Sequence, residues 1–257
     1  MAKSESVTTT HSTRSSPDWR YLGLTRATGQ ENMRLDQTLL EVAERGEGDS
    51  PTLRLYTWSR PTVSLGLNQT STAVVNQSEI ERLNYDVVRR PTGGQALLHK
   101  GDLCYALIAR REWHPEFRTL TTTYRAIGVA LRLALTKLGV ESTSESRSSG
   151  SPHEQNSPCF AMASPFELAV GGRKICGSSQ RRLKTAFLQH GSLRVEDCWT
   201  DSDLQAIWPQ KFGVDGEAIT SVAAQLGAIP GLDQVENAIL AAFAEQFQVE
   251  IRCEKRD

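Results

Sequence analysis

The segment Arg89-Arg90-Pro91-Thr92-Gly93-Gly94-Gln95-Ala96-Leu97-Leu98-His99 constrains the fold more than any other stretch of this chain. An apolar run from Tyr85 to Val88 reads as a strand and ends in two arginines. A Gly-Gly pair follows, then a second apolar run that closes on histidine. Gly93 and Gly94 give the turn access to dihedrals closed to other residues and let a ligand approach the main chain. Beside two guanidiniums, such a loop suits an acyl or phosphate-bearing group. A tight turn with solvated arginines fits the same residues.

A second patch lies downstream, Gly171-Gly172-Arg173-Lys174-Ile175-Cys176-Gly177-Ser178-Ser179-Gln180-Arg181-Arg182, followed by His190-Gly191-Ser192-Leu193. Phe166 to Val170 alternates weakly and favours a strand, with Gly171-Gly172 as a hairpin turn. Lys174 then stands at the start of the return strand, rigid enough to aim an ammonium group. Gly177, Ser178 and Ser179 supply small residues and donors where a carbonyl or phosphate can rest. A solvated lysine beside a hairpin is the plainer alternative.

Taken in order, the motifs at 89–99, 172–182 and 188–193 (Leu-Gln-His-Gly-Ser-Leu) make the chain resemble the lipoyl/octanoyl attachment superfamily: lipoate-protein ligases, octanoyl transferases and, more distantly, biotin-protein ligases. Ala218 to Val222 is a weaker echo of a further segment of that family. The resemblance runs from about Tyr21 to the C-terminus, and it implies an α+β fold with a mixed central β-sheet flanked by helices in one catalytic domain.

Ser157-Pro158-Cys159-Phe160 selects among branches. ATP-dependent ligases activate a carboxylate as an adenylate and need no cysteine there. The Cys-Phe branch resembles octanoyl-[acyl carrier protein]:protein octanoyltransferases, in which a thiol is the nucleophile. The resemblance therefore implies Cys159 and Lys174 as catalytic residues. It implies substrate contacts from Arg90, Gly93, Gly94, His99, Gly177, Ser178, His190 and Gly191. The donor is expected to be octanoyl-acyl carrier protein, and the acceptor a lysine of a lipoyl domain such as glycine cleavage H protein. No cofactor is implied. An enzyme thiol splits acyl transfer into thioester exchange and amine attack. A neighbouring ammonium, here Lys174, would favour the thiolate. Backbone N–H groups near Gly177 and Ser178 are candidates to hold the oxyanion, where one donor is typically worth ~3–4 kcal/mol. An apolar slot for the tail gains roughly 0.8 kcal/mol per methylene, ~5 kcal/mol at most for octanoyl.

Three rivals stay open: an ATP- and magnesium-dependent lipoate ligase, an amidotransferase taking octanoyl from a modified lipoyl domain, and a non-catalytic paralogue that binds carrier or lipoyl domains. Gln95 departs from the family, where ligases have a third glycine and transferases often arginine. It removes a positive contact to a donor phosphate. Long ligases carry a further small domain after this one, for which the sequence given leaves no room; that favours a transferase.

The other cysteines have weaker company. Cys176 reads as buried filler and as the obvious rival nucleophile, Cys104 as core, and Cys198 and Cys253 as unactivated. No CxxC pair or Cys/His zinc spacing occurs, so no metal is expected. Five cysteines are odd in number and fit reduced thiols in a cytoplasm-like compartment. His11, His114 and His153 have no supporting motif.

A chain of 257 residues with 39% hydrophobic content can bury one sizeable core. The net charge of -1 gives no basic field for nucleic acid. No run is long and apolar enough for a membrane span, and no signal-peptide core opens the sequence. Residues 1–18 are rich in Ser and Thr and read as a disordered tail, although a plastid transit peptide has a similar bias. Residues 19–257 read as the catalytic domain.

Within it, Asp36 to Ala43 predicts a helix. Leu53–Trp58 and Thr62–Leu67 predict two strands joined by a turn at Pro61. Thr122–Leu138 predicts a helix ending at Gly139. Residues 141–157 predict a surface loop that gates the site. Val235, Ile239, Phe243 and Phe247 mark a last helix, with Val249 and Ile251 in a terminal strand.

Overall fold

Alternation with a period of two decides the architecture. Along β6 (Asp102–Arg110), Leu103, Tyr105, Leu107 and Ala109 fall on one face, while Cys104, Ala106 and Ile108 fall on the other. Both sets are buried, so a layer must cover each side. The computed structural model describes residues 18–69, 75–144, 167–203 and 219–254, and shows both layers.

The elements preceding β6 are β1 (Trp19–Ala27), α1 (Gly29–Arg45), β2 (Thr52–Trp58), β3 (Thr62–Leu65), α2 (Gln77–Leu83), β4 (Asp86–Arg89) and β5 (Leu97–His99). After it come α3 (Leu120–Lys137), β7 (Thr143–Ser144), β8 (Leu168–Val170), β9 (Arg173–Arg182), β10 (Ala186–Arg194), α4 (Val222–Leu226), α5 (Leu232–Phe247) and β11 (Ile251–Cys253). An eight-stranded mixed sheet runs β11-β1-β2-β6-β10-β9-β8-β7, and a three-stranded sheet runs β4-β3-β5. This is the α+β arrangement of a mixed sheet flanked by helices.

One face of the large sheet carries α3 and α5. Ile127, Leu131 and Leu135 from α3 and Val235, Ile239, Phe243 and Phe247 from α5 join Leu53, Leu55 and Phe187 in one core. Each such side chain contributes ~1.5–3 kcal/mol when fully buried. The other face carries α1, whose Met33, Leu40 and Ala43 pack on Tyr56, Trp58, Ala106 and Leu188. Helix α1 starts seven residues before Asp36, because Thr28 and Glu31 form a capping box whose signature stands in the sequence.

The expected hairpin of β2 and β3 does not form. β2 pairs with β1 and β6 in the large sheet, whereas β3 pairs with β4 and β5 in the small one. Pro61 marks a change of sheet, and the small sheet lies over the α1 side of the large one. The glycine hairpin does form: Gly171 and Gly172 have φ of 55° and 75°, the two left-handed positions of a two-residue turn between β8 and β9. Residues 1–17 of the expected tail, 145–157 of the expected loop and Cys159 lie outside the described residues.

Candidate active site

The face of the large sheet under α1 is lined, strand by strand, with small or polar groups. Gly177 and Ser179 come from β9, His190 and Ser192 from β10, Cys104 from β6 and Tyr56 from β2. Met33 of α1 forms a side wall, and Ser64, Leu97 and His99 of the small sheet form a roof. Together with Trp58 and Arg90 they line a narrow slot open to solvent. Six of the residues singled out from sequence line it: Arg90, His99, Gly177, Ser178, His190 and Gly191.

The glycine loop roofs the slot by backbone geometry. Arg90, 6% exposed, donates to the carbonyls of Ser64 (2.9 Å), Gly93 (2.9 Å) and Gln95 (2.7 Å), binding the loop to β3. Arg89 donates to the carbonyls of Gly66 and Leu67. Gly93 and Gly94 shape the loop and are not among the slot's lining residues. Gly94 has φ of 90°, and its carbonyl oxygen lies 1.9 Å from where a Cβ on Gly66 would sit. Gly66→Ala is therefore expected to push the loop off the slot. Urea unfolding should show a loss of about 1–3 kcal/mol, with transfer activity falling in the same variant.

Each of two buried histidines is paired with a carboxylate. His99 stacks on Trp58 at 4.1 Å, places Nδ1 2.6 Å from Asp102 Oδ2, and places Nε2 2.8 Å from Ser64 Oγ. Ser192 and Cys104 also donate to that Asp102 oxygen, at 2.6 and 3.4 Å. Burial works to raise the pKa of Asp102, but His99, Ser192 and Cys104 outweigh it and hold it below the usual carboxylate value. His99, Asp102 and Cys104 bring ligand-type atoms within 4.8 Å of one another, a grouping that cysteine–histidine spacing in the sequence does not show. Their mutual hydrogen bonds account for it.

On the far side of the slot, His190 Nδ1 lies 2.9 Å from Asp36 Oδ2, and Nε2 lies 2.7 Å from Thr92 Oγ1. Arg54 pairs with Asp36 at 2.5 Å, and Tyr56 donates to it at 3.2 Å. Burial lowers the pKa of His190 below 6.5, with Asp36 opposing. Burial raises that of Asp36, but His190 and Arg54 outweigh it and leave it below 3.8.

These shifts share one sign. The unfolded chain protonates His190 at about pH 6.5, before the folded one does. Asp36 and Asp102 stabilise the fold above their unfolded pKa and stop doing so as pH falls through their folded values. Stability measured by denaturant should therefore be highest between about pH 7 and 8, decline from about pH 6.5 downward, fall again below about pH 4, and decline above about pH 8.5, where unfolded Cys104 and Cys176 ionise before the folded thiols do. A flat profile from pH 7 to 4 would contradict this account of the two pairs.

Lys174 is also buried. Its Nζ pairs with Glu167 Oε1 at 2.5 Å, and its Cε and Nζ lie 3.1 and 3.3 Å from the position of a Cβ on Gly177. An ammonium thus stands against the glycine at one end of the slot. Beside it, Thr220 N–H donates to the Lys174 carbonyl at 2.9 Å, and Ile219 bridges to Lys174. β8 pairs with β9 only as far as Cys176, so the Gly177 end of β9 keeps one edge without a strand partner among the described residues. Ser178 turns its hydroxyl to Tyr105, 2.7 Å away on the helical face. Ser179 is the hydroxyl that faces the slot, 2.6 Å from Thr92 Oγ1. Asp36, Thr92, Asp102 and Trp58 are site residues that the motifs did not reveal, whereas Ser179 stands among the donors expected there. Alternation along β9 favours Ser179 over Ser178 once the buried face is known.

Cys176 points into the helical core, and burial pushes its thiol up to about 12. Cys198 donates to the Lys100 carbonyl, and Cys253 is exposed. No helix among the described residues is long and apolar enough to cross a membrane.

A family model described as the lipoyl protein ligase A/B catalytic domain matches residues 28–244. An octanoyltransferase LipM of Carboxydothermus hydrogenoformans is 37% identical over 241 residues, covering 90% of this chain and 87% of that protein. Octanoyltransferase LipM of Staphylococcus epidermidis is 31% identical over 249 residues, covering 91% and 88%. Among solved structures, a lipoate-protein ligase A bound with ATP matches with a TM-score of 0.74 at 24% identity, over 94% of this chain and 90% of that one. That likeness is one of fold.

Proposed function

The chain belongs to the lipoyl protein ligase A/B catalytic-domain family and is an acyltransferase; from that premise we propose that it carries octanoyl from acyl carrier protein to a lysine of a lipoyl domain such as glycine cleavage H protein. The transfer passes through a thioester on Cys159. One observation carries the reading: residues from four separate stretches of sequence line a single slot, closed at one end by Trp58 stacked on His99, with Lys174 beside Gly177. An acyl tail fills the slot, and its carbonyl lies toward Gly177 and Lys174. There the ammonium favours the Cys159 thiolate, and N–H groups of β9 receive the oxyanion. The names of the relatives favour transfer over ATP-dependent ligation.

The test is octanoylation of an unmodified H protein by the purified chain and octanoyl-acyl carrier protein without ATP, read as the mass of the H protein. A gain of one octanoyl group is expected. Modification only with free octanoate, ATP and magnesium would make the chain a ligase. Modification only from an octanoylated lipoyl domain would make it an amidotransferase, and no modification under any condition a binding paralogue.

Chain length should be set at the Trp58 wall, since Trp58 and His99 also line a second hollow behind it. Trp58→Leu joins the two spaces. In competition assays the preference should move to longer acyl chains, by up to about fourfold per added methylene at ~0.8 kcal/mol each. An unchanged preference for octanoyl would place the tail elsewhere.

A further inference from the structure

The hydrogen bonds joining Ser179 to Asp36 have a fixed direction. Asp36 is an acceptor, held as a carboxylate by Arg54, so His190 Nδ1 must carry the proton it donates. Neutral His190 then has a bare Nε2, which accepts from the Thr92 hydroxyl. With its own proton spent, Thr92 Oγ1 accepts from Ser179. Ser179 therefore presents lone pairs to the slot and can donate there only by breaking the chain. Asp36 and His190 are buried, and Ser179 lies on the wall two residues from Gly177.

We propose that Ser179, Thr92, His190 and Asp36 form a proton relay, oriented at rest to take a proton from the slot, that serves the second half of the transfer, amine attack on the acyl-enzyme. The inference rests on the octanoyl-transfer reading above. The neutral lysine amine of the acceptor adds to the thioester carbonyl, forming the C–N bond and leaving a positive nitrogen and an oxyanion. The nitrogen passes one proton to Ser179 as Ser179 passes its own to Thr92 and Thr92 passes its own to His190 Nε2. The oxyanion reforms the carbonyl, the C–S bond breaks, and the sulfur leaves with the electron pair. The proton on His190 returns to the sulfur, so amine and thioester become amide and thiol. Asp36 stabilises the imidazolium while it exists, as a carboxylate beside a histidine base does. Thioester exchange in the first half has no amine to deprotonate and does not need the relay.

The groups facing His190 favour its neutral resting form. Asp36 lies on α1, with Arg54 and Tyr56 of β2 behind it. Arg90 of the glycine loop and His99 of β5 oppose added positive charge, and burial lowers the imidazole pKa further. Only Ser179 touches the reacting amine; His190, Thr92 and Asp36 act through it as positioning residues.

The two halves are measured separately in Ser179→Ala and Asp36→Asn. Acylation is read as the mass of the enzyme mixed with octanoyl-acyl carrier protein, and discharge as its loss on adding H protein. Both variants should discharge to H protein about 10²–10⁴-fold more slowly, the usual worth of a positioned base, and lose far less of the acylation rate. Hydroxylamine, a nucleophile whose low basicity makes the base dispensable, should discharge both at the wild-type rate. Wild type is expected to lose discharge to H protein more steeply at low pH than protonation of the acceptor lysine alone requires, as His190 takes up a proton; that extra fall should disappear in Ser179→Ala, which leaves the buried Asp36–Arg54 pair intact should Asp36→Asn fail to fold. Equal discharge to H protein by Ser179→Ala and wild type, or equal slowing with hydroxylamine and H protein, would overturn the relay. Failure of the wild type itself to acylate would instead overturn the octanoyl-transfer reading.

Discussion

Cys159→Ser is expected to fold normally and to form amide on a lipoyl domain at least ~10³-fold more slowly than the wild type, because a hydroxyl without an activating base is a poor nucleophile at neutral pH. The size of the loss depends on there being no substitute thiol. Cys176, the nearest in sequence to Lys174, faces the helical core beside Tyr105, and burial raises its thiol to about 12. Cys104 does line the slot, but burial and then Asp102 raise its pKa well above the ordinary thiol value. A protonated thiol is not the nucleophile. Cys176→Ala is accordingly expected to retain most of its activity. A Cys159→Ser variant active within tenfold of wild type would remove the covalent step from the account.

Lys174→Met is expected to be the most damaging single change in the described residues, on two grounds. Lys174 and Glu167 have side chains 7% and 10% exposed, so removing the ammonium breaks a buried ion pair. Breaking such a pair costs about 3–5 kcal/mol. Transfer should fall as well, by ~10²–10⁴-fold, since the charge that stabilises the thiolate and the oxyanion has gone. The double variant Lys174→Met/Glu167→Gln separates the two grounds. Urea unfolding should recover much of the stability while transfer stays low. In addition, the pH at which iodoacetamide alkylates Cys159 should rise in both variants. Recovery of transfer along with stability would reduce Lys174 to a structural role.

The parts of this account that were legible in the sequence share one property: their signal is local. The Gly171-Gly172 turn, the stripe Ile127, Leu131, Leu135 of α3, and Val235 to Phe247 of α5 each follow from residues a few positions apart. So did the approximate placing of Arg90, His99, Lys174 and His190 through short motifs. Asp36 was unreadable because it looks like any polar residue on a helix; its partners Arg54 and His190 stand 18 and 154 residues away. Thr92 and Ser179 meet across 87 residues, and no periodicity marks the pair. The β2–β3 boundary failed for a related reason. Two alternating runs around a proline look the same whether the chain turns back in one sheet or crosses to another. Helix α1 starts ahead of its apolar stripe, because the Thr28–Glu31 capping box and not the stripe sets its first turn.

The most direct test of the central claim is the intact mass of the chain after mixing with octanoyl-acyl carrier protein, without ATP or acceptor. The account predicts one added octanoyl group, removed by hydroxylamine and absent from Cys159→Ser. A chain that gains no mass yet octanoylates a lipoyl domain, or one that carries the group on a residue other than Cys159, would contradict it.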